Sequence, residues 1–155
     1  MKKNLTCIAK NFEGSNGFRN YFDVNQKDIL DDGDLSCAIY ISTVLVMCRL
    51  TEGVSFTVSG LLTRIRNSDN FIEYAYTSIG DLLPGDIVVW DSLKDDQNKH
   101  VGIFLGGEFV DKNAISNRSS QGSPGRHSVL YTGRDKGNNP TVAKILKYFR
   151  LKEGV

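Results

Sequence analysis

Histidine is scarce in this chain: its 155 residues include two, His100 and His127. Cysteine is almost as rare, with Cys7, Cys37 and Cys48 far apart and no Cys-x-x-Cys. An odd number of widely spaced cysteines is neither a disulfide framework nor a zinc site. It suits a reducing compartment, and equally a secreted protein with free thiols. No apolar run approaches the roughly 18 residues that read as a membrane span. The opening Met-Lys-Lys resembles a signal n-region, but Asn4, Thr6, Lys10, Asn11 and Glu13 break any apolar stretch behind it. A product made in the cytoplasm without an export signal, and without membrane insertion, is therefore expected. A surplus of charge is missing as well. Lys and Arg number 19 and Asp and Glu 18, for a net charge of +1. That balance argues against nucleic acid or an anionic membrane as a partner. The mild basic cluster of Lys144, Lys147, Arg150 and Lys152 reads as a solvated strand face.

With 40% apolar residues, the chain has enough for one core, and residues 1–155 read as one domain. The first thirty-odd residues are polar and punctuated by glycine; they suggest a short strand or coil, then a short helix near Asn25 to Leu30. Cys37 to Leu50 is β-branched but too long for a strand, and apolar nearly all round, which predicts a central buried helix. Asp34 or Ser36 is its N-cap, and either choice puts Cys37 in the first turn. Val58, Leu61, Leu62 and Ile65 carry a second helix over Thr57 to Arg66. Phe71 to Tyr76 reads as a strand. Leu83-Pro84-Gly85-Asp86 is a type II turn, leading into a doubly buried strand, Ile87 to Trp90. A polar loop from Asp91 to Lys99, a strand from Val101 to Leu105, a Gly106-Gly107 turn and a strand from Glu108 to Asp111 follow. Lys112 to His127 is rich in Ser, Asn and Gly and reads as a long surface loop. Ser128 to Thr132 and Thr141 to Leu151 are the last strand segments. Helices first, then a meander of strands, is an α+β arrangement.

The chemistry concentrates at Cys37 and His100. A thiol opening a buried helix and an imidazole opening a strand can form a nucleophile pair. The partial positive charge of the helix N-terminus and a neighbouring imidazolium both lower a thiol pKa. Free N–H groups in the first turn can receive an oxyanion. A third group must orient the imidazole, and Asp111, across the proposed hairpin, is the first choice, with Asn113 second. Cys48, deep in the helix, reads as a core residue. Cys7 reads as structural or incidental, and His127 as a structural loop residue.

Cys37, then Pro84-Gly85-Asp86 with Ile87-Val88-Val89-Trp90, then His100-Val101-Gly102-Ile103 resemble, in order, the NlpC-type family of papain-fold cell-wall cysteine peptidases. The resemblance covers about Gly33 to Leu151. It implies a papain-like fold in which the helix bearing the Cys packs on an antiparallel sheet. It also implies hydrolysis of an amide bond in a peptidoglycan stem peptide through an acyl-enzyme on Cys37. His100 would act as base and then acid; the third polar residue would lie on the strand after the hairpin, where Asp111 falls. Ser36 and Ala38, flanking the thiol, and Tyr21 upstream take the substrate-binding places. The family usually has Asp-Cys-Ser-Gly where this chain has Ser36-Cys37-Ala38-Ile39. The sister CHAP amidases end their triad with a Glu and an Asn, which have no counterpart after the hairpin. No cofactor is implied. Such an enzyme would reach the wall after lysis, by delivery through a secretion machine, or within a phage particle. Two other readings keep the fold: an acyltransferase or protein-directed amidase effector, and a non-catalytic binding or structural module.

Overall fold

The computed structural model describes residues 2–31, 33, 35–91, 99–107, 110–118, 122–134 and 140–155. Three helices come first: α1 (Lys2–Asn11), α2 (Cys37–Met47) and α3 (Val58–Asn67). The strands are β1 (Phe71–Ala75), β2 (Ile87–Trp90), β3 (His100–Phe104), β4 (Ala114–Arg118), β5 (Ser123–His127), β6 (Thr132–Arg134), β7 (Pro140–Val142) and β8 (Ile145–Leu151). β6 pairs with β7, and the other six form one antiparallel sheet in the order β1-β8-β2-β3-β4-β5. The arrangement is α+β, as the order of elements implies. Among the described residues no helix is long and apolar enough to cross a membrane.

α2 is the pivot. Ala38, Tyr40, Ile41, Val44 and Leu45 are all buried, so water is excluded on almost every side. A segment of this kind forms as a helix because packing outweighs the modest helix penalty of its β-branched residues. It lies on β3 and β4. Thr57 caps α3, its hydroxyl accepting from the Gly60 N–H, and Leu61, Leu62 and Ile65 supply the inward stripe.

Strand alternation divides the sheet into two faces. Ile87, Val89, Val101, Ile103 and Ile115 share the core of α2, while Val88, Trp90, Phe104 and Ala114 face the other side with Leu82, Val129 and Tyr148. The Leu83–Asp86 turn is as expected: Gly85 has φ +94° and the Asp86 N–H donates to Leu83 O at 3.0 Å. Asp86 itself is buried, and its carboxylate accepts from the Leu83 N–H and from Arg150 Nε and Nη2 at 2.8, 2.9 and 2.7 Å.

Several expectations are overturned. No helix forms near Asn25 to Leu30. Asp23 Oδ1 accepts from the N–H groups of Asn25 and Lys27, and Asp28 Oδ1 from those of Tyr21 and Leu30. Carboxylates that bond nearby backbone in this way stabilise turns against helix. The helix lies earlier, as α1, where Leu5 and Ala9 are buried and Ile8 and Phe12 pack beside them. The strand expected over 108–111 is instead a 3-10 turn, Val110–Lys112, with Glu108 and Phe109 outside the described residues. The Lys112 to His127 loop is in fact the β4–β5 hairpin. Most of the Asp91 to Lys99 loop (92–98) also lies outside the described residues.

Candidate active site

α2 delivers Cys37 to the sheet. The β3–β4 ladder pairs Ile103 with Ile115 and Phe104 with Ala114. Nearer the start of β3, the backbone N–H groups of Val101, Ala38 and Cys37 lie close enough to the Cys37 sulfur to favour its thiolate. The thiol therefore reaches the backbone next to His100, the residue that opens β3. Alternation turns the Val101 side chain towards α2 and the His100 side chain towards the other face. Burial pushes the Cys37 thiol up to about 11, outweighing the N–H groups that favour the thiolate. This reverses the expected direction and favours the neutral thiol at ordinary pH.

His100 does not stand alone. Its Nε2 lies 2.8 Å from Ser116 Oγ, and Ser116 Oγ lies 2.7 Å from His127 Nε2. His127 Nδ1 lies 2.7 Å from the carbonyl oxygen of Ser128. The register produces this chain. His127 pairs with Ala114 and Gly125 with Ser116 on β4–β5, so Ser116 and His127 are diagonal neighbours on one face. Trp90 and Tyr131 wall the two imidazoles. The Trp90 ring is 5.7 Å from His100 and 5.8 Å from His127, and Tyr131 is 5.9 and 5.3 Å from them. The indole N–H of Trp90 donates to Val129 O at 2.8 Å, which fixes that ring.

Gly102, within the His-Val-Gly-Ile run, makes room for this packing. A Cβ there would come 2.7 Å from Ile115 O, 2.9 Å from Ser116 Cβ and 3.1 Å from the Trp90 ring. Gly102→Ala is expected to push Ser116 out of reach of His100 and to destabilise the fold by about 1–3 kcal/mol. Chemical denaturation measures this; wild-type stability would mean the strands yield without strain.

The other anticipated site residues fall elsewhere. Asp111 is exposed in the 3-10 turn beyond the Phe104 end of β3, the end opposite His100, so the register separates the two. Asn113 is buried but holds the following chain, accepting from the Val129 N–H at 2.7 Å. Ser36 precedes the helix as expected, though Asp34 lies outside the described residues. Its hydroxyl donates to Gly33 O and is bonded by Asn117 Nδ2 from β4. The Ser36 and Ala38 side chains are both buried beside the start of α2. Tyr21 is half exposed and packs on Phe56, with ring centroids 4.8 Å apart. Cys48 is buried and Cys7 is exposed on α1. Among the described residues no group of three or more His, Cys, Asp or Glu is placed to hold a metal ion.

Ser116 and His127 were not anticipated in this place. Both sit in a Ser-, Asn- and Gly-rich stretch whose composition reads as loop. The available signal was the alternation of Ala114-Ile115-Ser116-Asn117, which sends Ile115 to the α2 core and Ser116 to the face that carries His100. No family model, curated protein or solved structure matches the chain.

Proposed function

We propose that the chain is a cysteine amidase of papain-like, NlpC-type fold that hydrolyses amide bonds in peptidoglycan stem peptides. The observation that carries this reading is the approach of the Cys37 sulfur, at the start of α2, to the Val101 backbone, one residue from an imidazole backed by Ser116. The order of Cys37, Pro84-Gly85-Asp86 and His100-Val101-Gly102-Ile103 supports the choice of substrate through the family resemblance.

In this reading His100, whose ring lies on the face away from α2, takes the Cys37 proton past the open start of β3 as the sulfur attacks the amide carbonyl. The N–H groups of Cys37 and Ala38, in the first turn of α2, stabilise the oxyanion. Collapse breaks the C–N bond, and the imidazolium returns its proton to the leaving amine. Water, deprotonated by the same imidazole, then cleaves the thioester and frees the carboxylate and the thiol. Ser116 takes the orienting role first given to Asp111, so Asp111→Ala is expected to leave turnover unchanged.

Digestion of purified cell wall, followed by mass spectrometry of the released fragments, tests the substrate. New amine and carboxyl ends are expected; their absence counts against wall hydrolysis. Iodoacetamide labelling near pH 6 tests the pair. Cys37 is expected to react faster than exposed Cys7 despite its burial, and slower than Cys7 once His100 is Ala.

The burial of Cys37 and its raised pKa favour a second reading, a non-catalytic module in which the thiol only packs. Slow labelling of Cys37 in the wild type, unchanged by His100→Ala, would select it.

A further inference from the structure

We infer that His127 is a positioning residue that acts through Ser116 to fix which nitrogen of His100 carries the proton. The inference rests on the reading of His100 as the base for Cys37. Its direction follows from the last member of the chain. A carbonyl oxygen only accepts, so His127 Nδ1 must donate to Ser128 O across 2.7 Å. A neutral His127 then has its lone pair on Nε2, and the Ser116 hydroxyl donates to it across 2.7 Å. With its hydrogen turned that way, Ser116 Oγ accepts from His100 Nε2–H across 2.8 Å. His100 is thereby held as the Nε2–H tautomer, with its lone pair on Nδ1.

The consequence is chemical. When His100 takes up the thiol proton on Nδ1, both of its nitrogens carry hydrogen, and the Nε2–H bond to Ser116 becomes charge-assisted. Ser116 passes that polarisation to the Nε2 lone pair of His127. The chain thus favours the imidazolium, which a thiol raised to about 11 needs if it is to lose its proton. His127 is buried and walled by Trp90 and Tyr131, which suits a fixed acceptor. No atom of His127 needs to touch the substrate.

Imidazole nitrogens report their protonation directly in long-range ¹H–¹⁵N spectra, and the chain has two histidines to assign. Above pH 7, His100 is expected as Nε2–H and His127 as Nδ1–H. Ser116→Ala and His127→Phe should each convert His100 to a mixture of tautomers. They should also slow iodoacetamide labelling of Cys37 by about tenfold to a hundredfold, the range for losing one charge-assisted hydrogen bond. His127→Gln, whose amide oxygen takes the place of Nε2, should keep the His100 tautomer and stay within about threefold of wild-type labelling. An unchanged His100 tautomer in Ser116→Ala overturns the inference even if His127→Phe fails to fold. A changed tautomer with unchanged Cys37 labelling supports the positioning role of His127 and overturns the thiol–imidazole pair instead.

Discussion

Cys37→Ala is expected to abolish amide hydrolysis and to leave the fold intact. Without sulfur the proposed acyl-enzyme cannot form, and the proposed base has no thiol proton to take. Alanine fits because it favours helix and because its neighbour Ala38 already packs in the core. The loss of a small buried sulfur costs about 1 kcal/mol at neutral pH. A distinctive stability signature accompanies the loss of activity. The Cys37 pKa is raised on folding, from 9.0 to about 11, so its buried neutral thiol favours the folded state fully below pH 9. That contribution is lost as pH rises from 9 through 11, because the unfolded thiol ionises first. A rise of that size corresponds to about 3 kcal/mol. Wild type minus variant stability should therefore fall by that order across this window. Urea denaturation of both proteins at pH 8 and pH 10.5 measures the difference. Residual turnover in the variant would remove Cys37 from the mechanism, and a stability difference independent of pH would mean the thiol is open to water.

Asp86→Ala is expected to destabilise the protein more than any of the other substitutions. The carboxylate is 1% exposed and receives the Arg150 guanidinium and the Leu83 N–H. Arg150 also donates to Asp81 O and lies over the rings of Tyr148 and Tyr74, at 5.1 and 5.5 Å. Removing one partner of a buried pair leaves the other charge uncompensated, at a cost of about 3–5 kcal/mol. In a chain of this length that lowers the melting temperature by about 10 °C or more. Asp86→Asn keeps an acceptor for Leu83 and should lose about half as much. Calorimetry separates the cases; an unchanged melting temperature in Asp86→Ala would mean that water solvates the guanidinium as well as the carboxylate does. The Asp of the Pro-Gly-Asp turn is thus a clamp between β2 and β8, and its effect on catalysis should follow its effect on folding.

The parts of the fold legible in the sequence were those in which one physical signal dominated. The length and apolarity of Cys37 to Leu50 outweighed its β-branched residues, and the helix formed. Pro84-Gly85 specified its turn through proline's φ and glycine's freedom at positive φ. The positions of Cys37 at the start of α2 and of His100 at the start of β3 were legible as well. The β4–β5 hairpin was not, because its polar residues are buried against one another. Ser116 bonds two imidazoles and Asn117 holds Ser36 and Gly33 O. Such residues resemble a solvated loop until their partners, distant in sequence, are known. Asp111 was misplaced for a related reason: the hairpin after β3 was read as tight, whereas the chain first makes a 3-10 turn and then the strand that carries Ser116. α1 escaped notice because Leu5, Ile8, Ala9 and Phe12 are diluted by lysine and asparagine between them.

The place of β8 in the sheet bears on how the chain is made. This strand, Ile145–Leu151, inserts between β1 and β2, pairing Leu151 with Phe71 and Phe149 with Ile87. A ribosome emits Cys37, the Asp86 turn and His100 well before the strand that joins the two halves of the sheet. Until then β1 has no neighbour, β2 has one bare flank, and Asp86 waits for its arginine. Chain closure over so many residues is slow, and unpaired strand flanks recruit other chains in the interval. Aggregation during synthesis should therefore track the delay before residue 151 leaves the exit tunnel.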